Sequence, residues 1–388
     1  MHNVFIAGIG QTPVGEHWNV SLRSLAVQAI QQAIRDSGGL QPAALFAANT
    51  LAPNLSRQAN LGALLVDYAG LGGIEAATFE LGGASGGVAL RQAALAVESG
   101  QIESALVIGV EKITDATAPA HETALLTQTD SEYEAIQGLT PSAQAALLTR
   151  RYRHEFNLPA DCLAGFPLQA HANAQGNKNA FFHRAISLED YRRAEMSVDP
   201  LNRYDIAPNV DGAAALILTR GEWLPESKRN TPIRLAASAS FSDTLALHDR
   251  ADLLTFTAAR QSVEAVLQEA QLTRQQIDVF EYFDAFPIFA ALSLEAAGFA
   301  PRGQGWTLAS EEGIARTGQI PCATLGGLLA RGNPVGASGV YQVVEAVQQL
   351  RGLAGACQVE AARTAMVQCL SGPASVAVTH ILERVDKE

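Results

Sequence analysis

Positive charge is scarce in this chain: 27 Lys and Arg stand against 39 Asp and Glu, a net charge of −12. A field of that sign repels nucleic acid and anionic membrane surfaces, so neither is an expected partner. An anionic ligand would have to be met by a local basic patch or by helix N-termini. Cysteine is scarce too. The four present (Cys162, Cys322, Cys357, Cys369) show no C-x-x-C spacing, which excludes a disulfide framework and argues against structural zinc. No stretch reaches the ~18 uninterrupted apolar residues that a membrane-spanning helix needs. The opening MHNVFIAGIGQTPVGE lacks the basic and apolar regions of an export signal, so the expected location is the cytoplasm, with the thiols free. Charged residues are only 17% against 48% hydrophobic, which excludes a disordered composition and leaves ample material for a core.

What is abundant is glycine, 33 residues, in an Ala-rich text of alternating strand-like and helix-like segments. Val4–Gly10 (VFIAGIG) reads as a strand, and Leu22–Asp36 follows at helical spacing, closed by Gly38 and Gly39. The alternation predicts layered sheets with helices on their faces. It breaks at Ala116–Pro200, a polar, His- and Asn-containing excursion expected to cover a site, and returns at Ala213–Thr219. Arg220–Pro232 reads as a linker, giving an expected division into an N-terminal half, 1–230, with the excursion inserted at about 116–200, and a C-terminal half, 231–388.

One internal repeat is visible. GASG at Gly83–Gly86 opens the helix VALRQAALAVES and leads to the strand Ser104–Val110; GASG at Gly336–Gly339 opens VYQVVEAVQQLR and leads to Thr364–Leu370. The shared helix and strand after each word predict duplicated halves. A small-residue turn at a helix start exposes backbone N–H groups at the positive end of the dipole, and two such ends face to face would bind a carbonyl oxygen, an oxyanion or a phosphate. On spacing alone the simpler reading is that the glycines allow close packing.

Six segments occur in one order: GIGQTPVG (Gly8–Gly15), ELGGASGG (Glu80–Gly87), GVEKIT (Gly109–Thr114), DGAAA (Asp211–Ala215), EYFDAF (Glu281–Phe286) and GGLLARGNPVGASG (Gly326–Gly339). In them the chain resembles the thiolase superfamily, in particular the sterol-carrier-protein-X thiolases and archaeal acetyl-CoA acetyltransferases, from about Val4 to Leu382. The resemblance implies the duplicated five-layer αβαβα thiolase fold, usually a homodimer, with Ala116–Pro200 as the loop domain. It also implies acyl-CoA lipid metabolism, with a coenzyme A thioester as ligand and no permanently bound cofactor or metal.

The chemistry departs from that pattern. The position of the nucleophilic cysteine of C-A-S-G is Gly83, which closes the acyl-enzyme route. The G-H-P histidine becomes Asn333, a hydrogen-bond donor with no titratable nitrogen; the histidine of H-D-A-F becomes Phe283; the asparagine before the double glycine becomes Ala323. Other features are kept. Cys369 in QCLSG matches the family's second, acid/base cysteine, although a small buried hydrophobe is the plainer reading of such a residue. Backbone donors of the thioester oxyanion hole fall on Gly83 and Ser371, and Ser85, Gly336, Ala337 and Ser338 are candidate substrate contacts. Asp284 is expected to orient backbone, and Tyr282 to lie on the far face of its strand. His171 and His183 read as solvated or capping, His380 as packed or at a sheet edge, and neither His17 nor His248 falls in a family motif.

The expected function is therefore a thiolase-like acyl-CoA protein in which ordinary thiolysis is disfavoured. The alternatives are a retro-aldol lyase acting with an OB-fold, zinc-ribbon acyl-CoA-binding partner, or a non-catalytic scaffold subunit. The lyases of the superfamily carry tyrosines where this chain has Phe283 and Asn333.

Overall fold

A computed structural model describes residues 1, 3–228 and 231–385. The first half runs β1 (Val4–Gln11), α1 (Leu22–Asp36), β2 (Ala44–Ala48), α2 (Leu61–Tyr68), β3 (Glu75–Phe79), α3 (Ser85–Glu98) and β4 (Ser104–Glu111). The excursion then supplies α4 (Ala118–Leu125), α5 (Pro141–Glu155), α6 (Gly165–Ala174) and α7 (Leu188–Arg192), with the hairpin β5 (Met196–Val198) and β6 (Leu201–Asn202), before β7 (Gly212–Arg220). The second half runs β8 (Ile233–Ser242), α8 (Thr257–Ala270), β9 (Val279–Glu281), α9 (Pro287–Ala296), α10 (Gly305–Ser310), α11 (Ser338–Leu350), β10 (Thr364–Ser371) and β11 (Val376–Arg384). The expected division at 230/231 falls at Arg229 and Asn230, which lie outside the described residues, as do 386–388.

The strand order β3-β2-β4-β7-β1-β8-β11-β10-β9 shows the repeat. In the first half β2 is parallel to β4, β4 antiparallel to β7, and β7 antiparallel to β1. In the second, β9 is parallel to β10, β10 antiparallel to β11, and β11 antiparallel to β8. The two sheets join at β1 and β8 by the pairing of Phe5 with Arg234.

The core explains the layering. One apolar cluster lies between α1, α2 and the first sheet, a second holds α3 and α11 between the two sheets, and a third packs α8, α9 and the excursion helices on the second sheet. Helix α11 is buried all round, every residue but Gln348. Each Val or Leu it buries contributes about 1.5–3 kcal/mol, enough to hold a Val-rich segment of modest helix propensity in the helix.

The GASG words sit where the central helices touch. A β-carbon on Gly86 would lie 2.6 Å from the Val340 amide nitrogen, and one on Gly339 would lie 2.8 Å from the amide nitrogen of Gly87. No side chain fits there, so these glycines bring helix backbone against helix backbone. The close-packing reading is the one the structure bears out.

A small buried cavity as candidate functional site

Gly83 stands in the turn before α3, and its φ lies outside the left-handed region, so the backbone itself does not demand glycine. The surroundings do. A β-carbon on Gly83 would lie 2.5 Å from the Cε2 and Cζ atoms of Phe283 and 2.6 Å from the Leu370 carbonyl oxygen. The two losses read separately in the sequence are thus one event in space: an aromatic ring occupies the space that the side chain has left. The backbone of Gly83 lies beside the end of β10, where Ser371 is found, and the Ser371 hydroxyl crowds Gly82. Gly83 does not line the neighbouring cavity, whereas Gly372 does.

Asn333 is fixed more tightly than its sequence suggests. Its Oδ1 accepts the Ser338 hydroxyl (2.8 Å) and the Val335 N–H (3.1 Å), and its own N–H donates to the Pro208 carbonyl (2.8 Å). With Oδ1 so engaged, the amide orientation is set, and the Nδ2 donor has no partner among the described residues. Asn333 lines a cavity of about 80 Å³ together with Phe283, Phe286, Phe289, Val335 and Gly372. The other wall comes from the excursion, as expected of a segment that covers a site: Glu122, Leu125, Gln128, Thr129, Pro141, Ser142 and Gln144. Thr140 caps α5 by accepting from the Ala143 N–H (3.2 Å), and Pro141 opens the helix, which together fix this wall. Val335 has φ +32°, rare for a β-branched residue, so backbone strain sits directly beside Asn333.

Three buried carboxylates hold the loops around the site. Glu111, at the end of β4, accepts from the Thr50, Leu51 and Gly336 N–H groups and from Asn49 Nδ2; burial pushes it up to about 7 against the pull of those donors. Asp211 accepts from Lys112 Nζ (2.8 Å), the Thr114 hydroxyl (2.7 Å) and the Ile113 and Thr114 N–H groups; burial alone would raise it, but these partners hold it below the usual range. Asp284 accepts the Leu328 N–H (2.7 Å) and lies against Gly327, and burial pushes it up to about 6. It orients backbone, in line with the reading of the D-A-F motif.

Two residues before Asn333, Arg331 is fully buried 3.1 Å from Glu345 and 5.0 Å from the ring centre of Tyr341. Glu281 joins this group through its electrostatic coupling to Glu345 and Arg331. Burial, and for Glu281 the neighbouring Glu345, raise both glutamates above the ordinary carboxylate range. Sequence reading missed this cluster because Glu281 and Arg331 sit in separate motif segments, Glu345 lies in neither, and their contact is made only by packing.

Several candidate residues do not meet at the cavity. Cys369 points to the other face of β10: its Sγ lies 2.8 Å from where a β-carbon on Gly339 would stand and 3.1 Å from that of Gly87. It is fully buried, and burial pushes its thiol up to about 12, so the geometry gives it the small-hydrophobe place rather than an acid/base one. Ser85, Gly336, Ala337 and Ser338 need correction as substrate contacts, because all four are buried and none lines the cavity. The Ser85 hydroxyl donates to the Gly82 carbonyl (2.7 Å), the Gly336 N–H to Glu111 and the Ser338 hydroxyl to Asn333. They build the frame of the site. Ala323 has φ +45°, a conformation asparagine tolerates better than alanine. Tyr282 is buried edge-on against Phe280 (5.5 Å).

His171 and His380 are packed in the interior. His171 is buried, not solvated: its Nδ1 lies 3.1 Å from the Arg184 carbonyl, it stacks on Phe182, and burial lowers its pKa. His380 is packed inside the sheet, since β11 is paired on both sides, and burial lowers it to about 3. His183 is exposed. Among the described residues no group of side chains could hold a metal ion, and no helix is long and apolar enough to cross a membrane.

Two similar half-sheets with their shared pair of central helices, and a covered cavity beside those helices, define a duplicated α/β architecture. Residues 4–222 match the thiolase N-terminal domain model, and residues 239–384 match the thiolase C-terminal domain-like model, so the chain belongs to the thiolase family. It is 38% identical over 387 residues to the acetyl-CoA acetyltransferase of Methanothermobacter thermautotrophicus, covering 99% of this chain and 100% of that protein. It is 25% identical over 364 residues to the 17-hydroxy-3-oxo-4-pregnene-20-carboxyl-CoA lyase of Mycobacterium tuberculosis, covering 89% and 91% respectively. The fold matches that of the Ltp2-ChsH2(DUF35) aldolase with a TM-score of 0.84 at 23% identity, covering 98% of each chain.

Proposed function

We infer that this chain binds a coenzyme A thioester, with the acyl group in the cavity beside Phe283 and Asn333, and does not carry out cysteine-dependent thiolysis. The observation that carries this reading is the Phe283 ring, 2.5 Å from the place of a β-carbon on Gly83. Loss of a nucleophile that works as a unit with its base costs about 10⁶-fold in rate. Asn333 supports ligand binding, because its Nδ2 is a preset donor for a thioester oxygen. Isothermal titration with CoA, acetyl-CoA and butyryl-CoA tests this. Saturable binding of a thioester, with no CoA released from acetoacetyl-CoA in the presence of free CoA, is the expected result. Absence of binding, or turnover at thiolase rates, overturns it.

A second reading is a retro-aldol lyase working with an OB-fold, zinc-ribbon partner. The similarity to the mycobacterial lyase supports it, and so does Glu122, the one ionisable side chain lining the cavity among the described residues and thus a base within reach of it. Mixing the chain with such a partner and a β-hydroxyacyl-CoA, and following release of an aldehyde or ketone, separates the two readings.

A further inference from the structure

Gln144 is 2% exposed, yet its side-chain amide has no hydrogen-bond partner among the described residues and lines the cavity. Only its backbone is engaged, the N–H donating to the Thr140 carbonyl (2.9 Å). The amide opens onto the cavity, so a ligand that covers it without offering a hydrogen bond leaves it desolvated at a cost of about 1–3 kcal/mol. The cavity also holds the preset Asn333 Nδ2. The rest of the lining is largely apolar, with Leu125, Phe286 and Val335 among it. Among the described residues no Lys, Arg or His lines it.

Resting on the thioester reading above, we propose that Gln144 is a specificity-determining residue that reads a neutral hydrogen-bonding group, a hydroxyl or carbonyl, on a short acyl chain. Asn333 takes the thioester oxygen, and the Gln144 amide, able both to donate and to accept, takes the second polar group. A cavity of about 80 Å³ limits the acyl chain to a few carbons. A carboxylate on the chain meets no cation in the cavity and has Glu122 at the wall, so the site favours the uncharged group. A plain alkyl chain would leave Gln144 buried and unpaired, and a site built this way discriminates against the ligand that lacks the polar group.

The test is a calorimetric affinity series on the full chain with butyryl-CoA, 3-hydroxybutyryl-CoA, 4-hydroxybutyryl-CoA and succinyl-CoA, repeated with Gln144→Met. Wild type is expected to bind one hydroxybutyryl thioester roughly tenfold or more tighter than butyryl-CoA, and succinyl-CoA more weakly than that hydroxy compound. In Gln144→Met the preference collapses to within about twofold, while butyryl-CoA binds as well or better. Equal wild-type affinity for the butyryl and hydroxybutyryl thioesters overturns the assignment alone, as does tightest binding of succinyl-CoA or an unchanged preference in the variant. Failure of every thioester to bind, butyryl-CoA included, overturns the thioester reading and this assignment with it. Should Gln144→Met not fold, the wild-type series decides.

Discussion

The ring of Phe283 and the bare backbone of Gly83 are complementary: two ring atoms lie 2.5 Å from the point where a β-carbon on Gly83 would stand. Neither position can change alone without disturbing the other. Gly83→Ala should destabilise the chain by about 1–3 kcal/mol, as overpacking does. In a Phe283→Ala background the same change should cost at least about 1 kcal/mol less. A double-mutant cycle on urea unfolding measures this coupling, and strict additivity would refute it.

Catalytic repair has to respect that geometry. Wild type incubated with radiolabelled acetyl-CoA should carry no covalent acyl group. Gly83→Cys alone should add little, because the thiol has no base and its β-carbon meets Phe283 and the Leu370 carbonyl. Gly83→Cys with Phe283→His and Asn333→His should give weak, measurable CoA-dependent cleavage of acetoacetyl-CoA. A folded, CoA-binding triple variant without activity would place the defect in the backbone near Leu370. A stable label on wild-type Cys369 would show a nucleophile elsewhere.

The central helix contact predicts intolerance of the smallest added side chain. Gly86→Ala drives a methyl group to within 2.6 Å of the Val340 amide nitrogen and 2.9 Å of the Gly339 Cα, both backbone atoms that cannot swing aside. We expect a loss of about 1–3 kcal/mol or more in unfolding free energy. Ala at Gly72, whose β-carbon would meet nothing within 4 Å, is the control.

The acids around Arg331 predict a pH dependence. Glu281 and Glu345 are raised in the folded chain, so the native state holds protons that the unfolded chain releases. That stability is fully present below their ordinary range near pH 4.5 and is lost as pH rises through neutrality, by about 1.4 kcal/mol per pH unit for each proton held. Chemical unfolding at pH 5.5, 7 and 8 should show the decline. Glu281→Gln mimics the protonated form and keeps an oxygen for Thr324, which donates at 3.0 Å, so its slope should be shallower. Parallel slopes would refute the assignment.

The chain is expected to associate through β3. This strand is the outer edge of the first half-sheet, is largely exposed, and leads directly into the Gly83 turn. An open edge beside an Ala-rich helix is a surface that pairs with a second copy. Light scattering at micromolar concentration should give a dimer, and Ala76→Pro should weaken it. A wild-type monomer would be contrary evidence.

Much of the architecture was readable in advance because periodicity and glycine punctuation are local: the repeated helix and strand after each GASG word, the start of the excursion and the strand at β7 all lie where the sequence places them. The losses at Gly83, Phe283 and Asn333 were also readable, since flanking words fix the register. Their relation was not, because contact between positions 200 residues apart along the chain is a product of packing. Cys369 misled for a related reason. A motif gives its register but not which face of β10 it uses, and the face is what turns the thiol into the core. Gln144 carried no signal at all: a glutamine in a polar helix looks solvated until the helix is laid over the cavity.

Backbone meets backbone where Gly86 and Gly87 touch Gly339, and that steric demand is indifferent to what sits at position 83. A chain of this kind can shed its nucleophile and stay folded, but it cannot shed the glycines that follow. The last letter of this GASG, Gly86, therefore reports how the halves are joined, Ser85 braces the turn through Gly82, and only the first letter reports on chemistry. Assigning an activity to a related chain from this stretch means reading that single letter, together with the residue at position 283 that fills or vacates the space beside it.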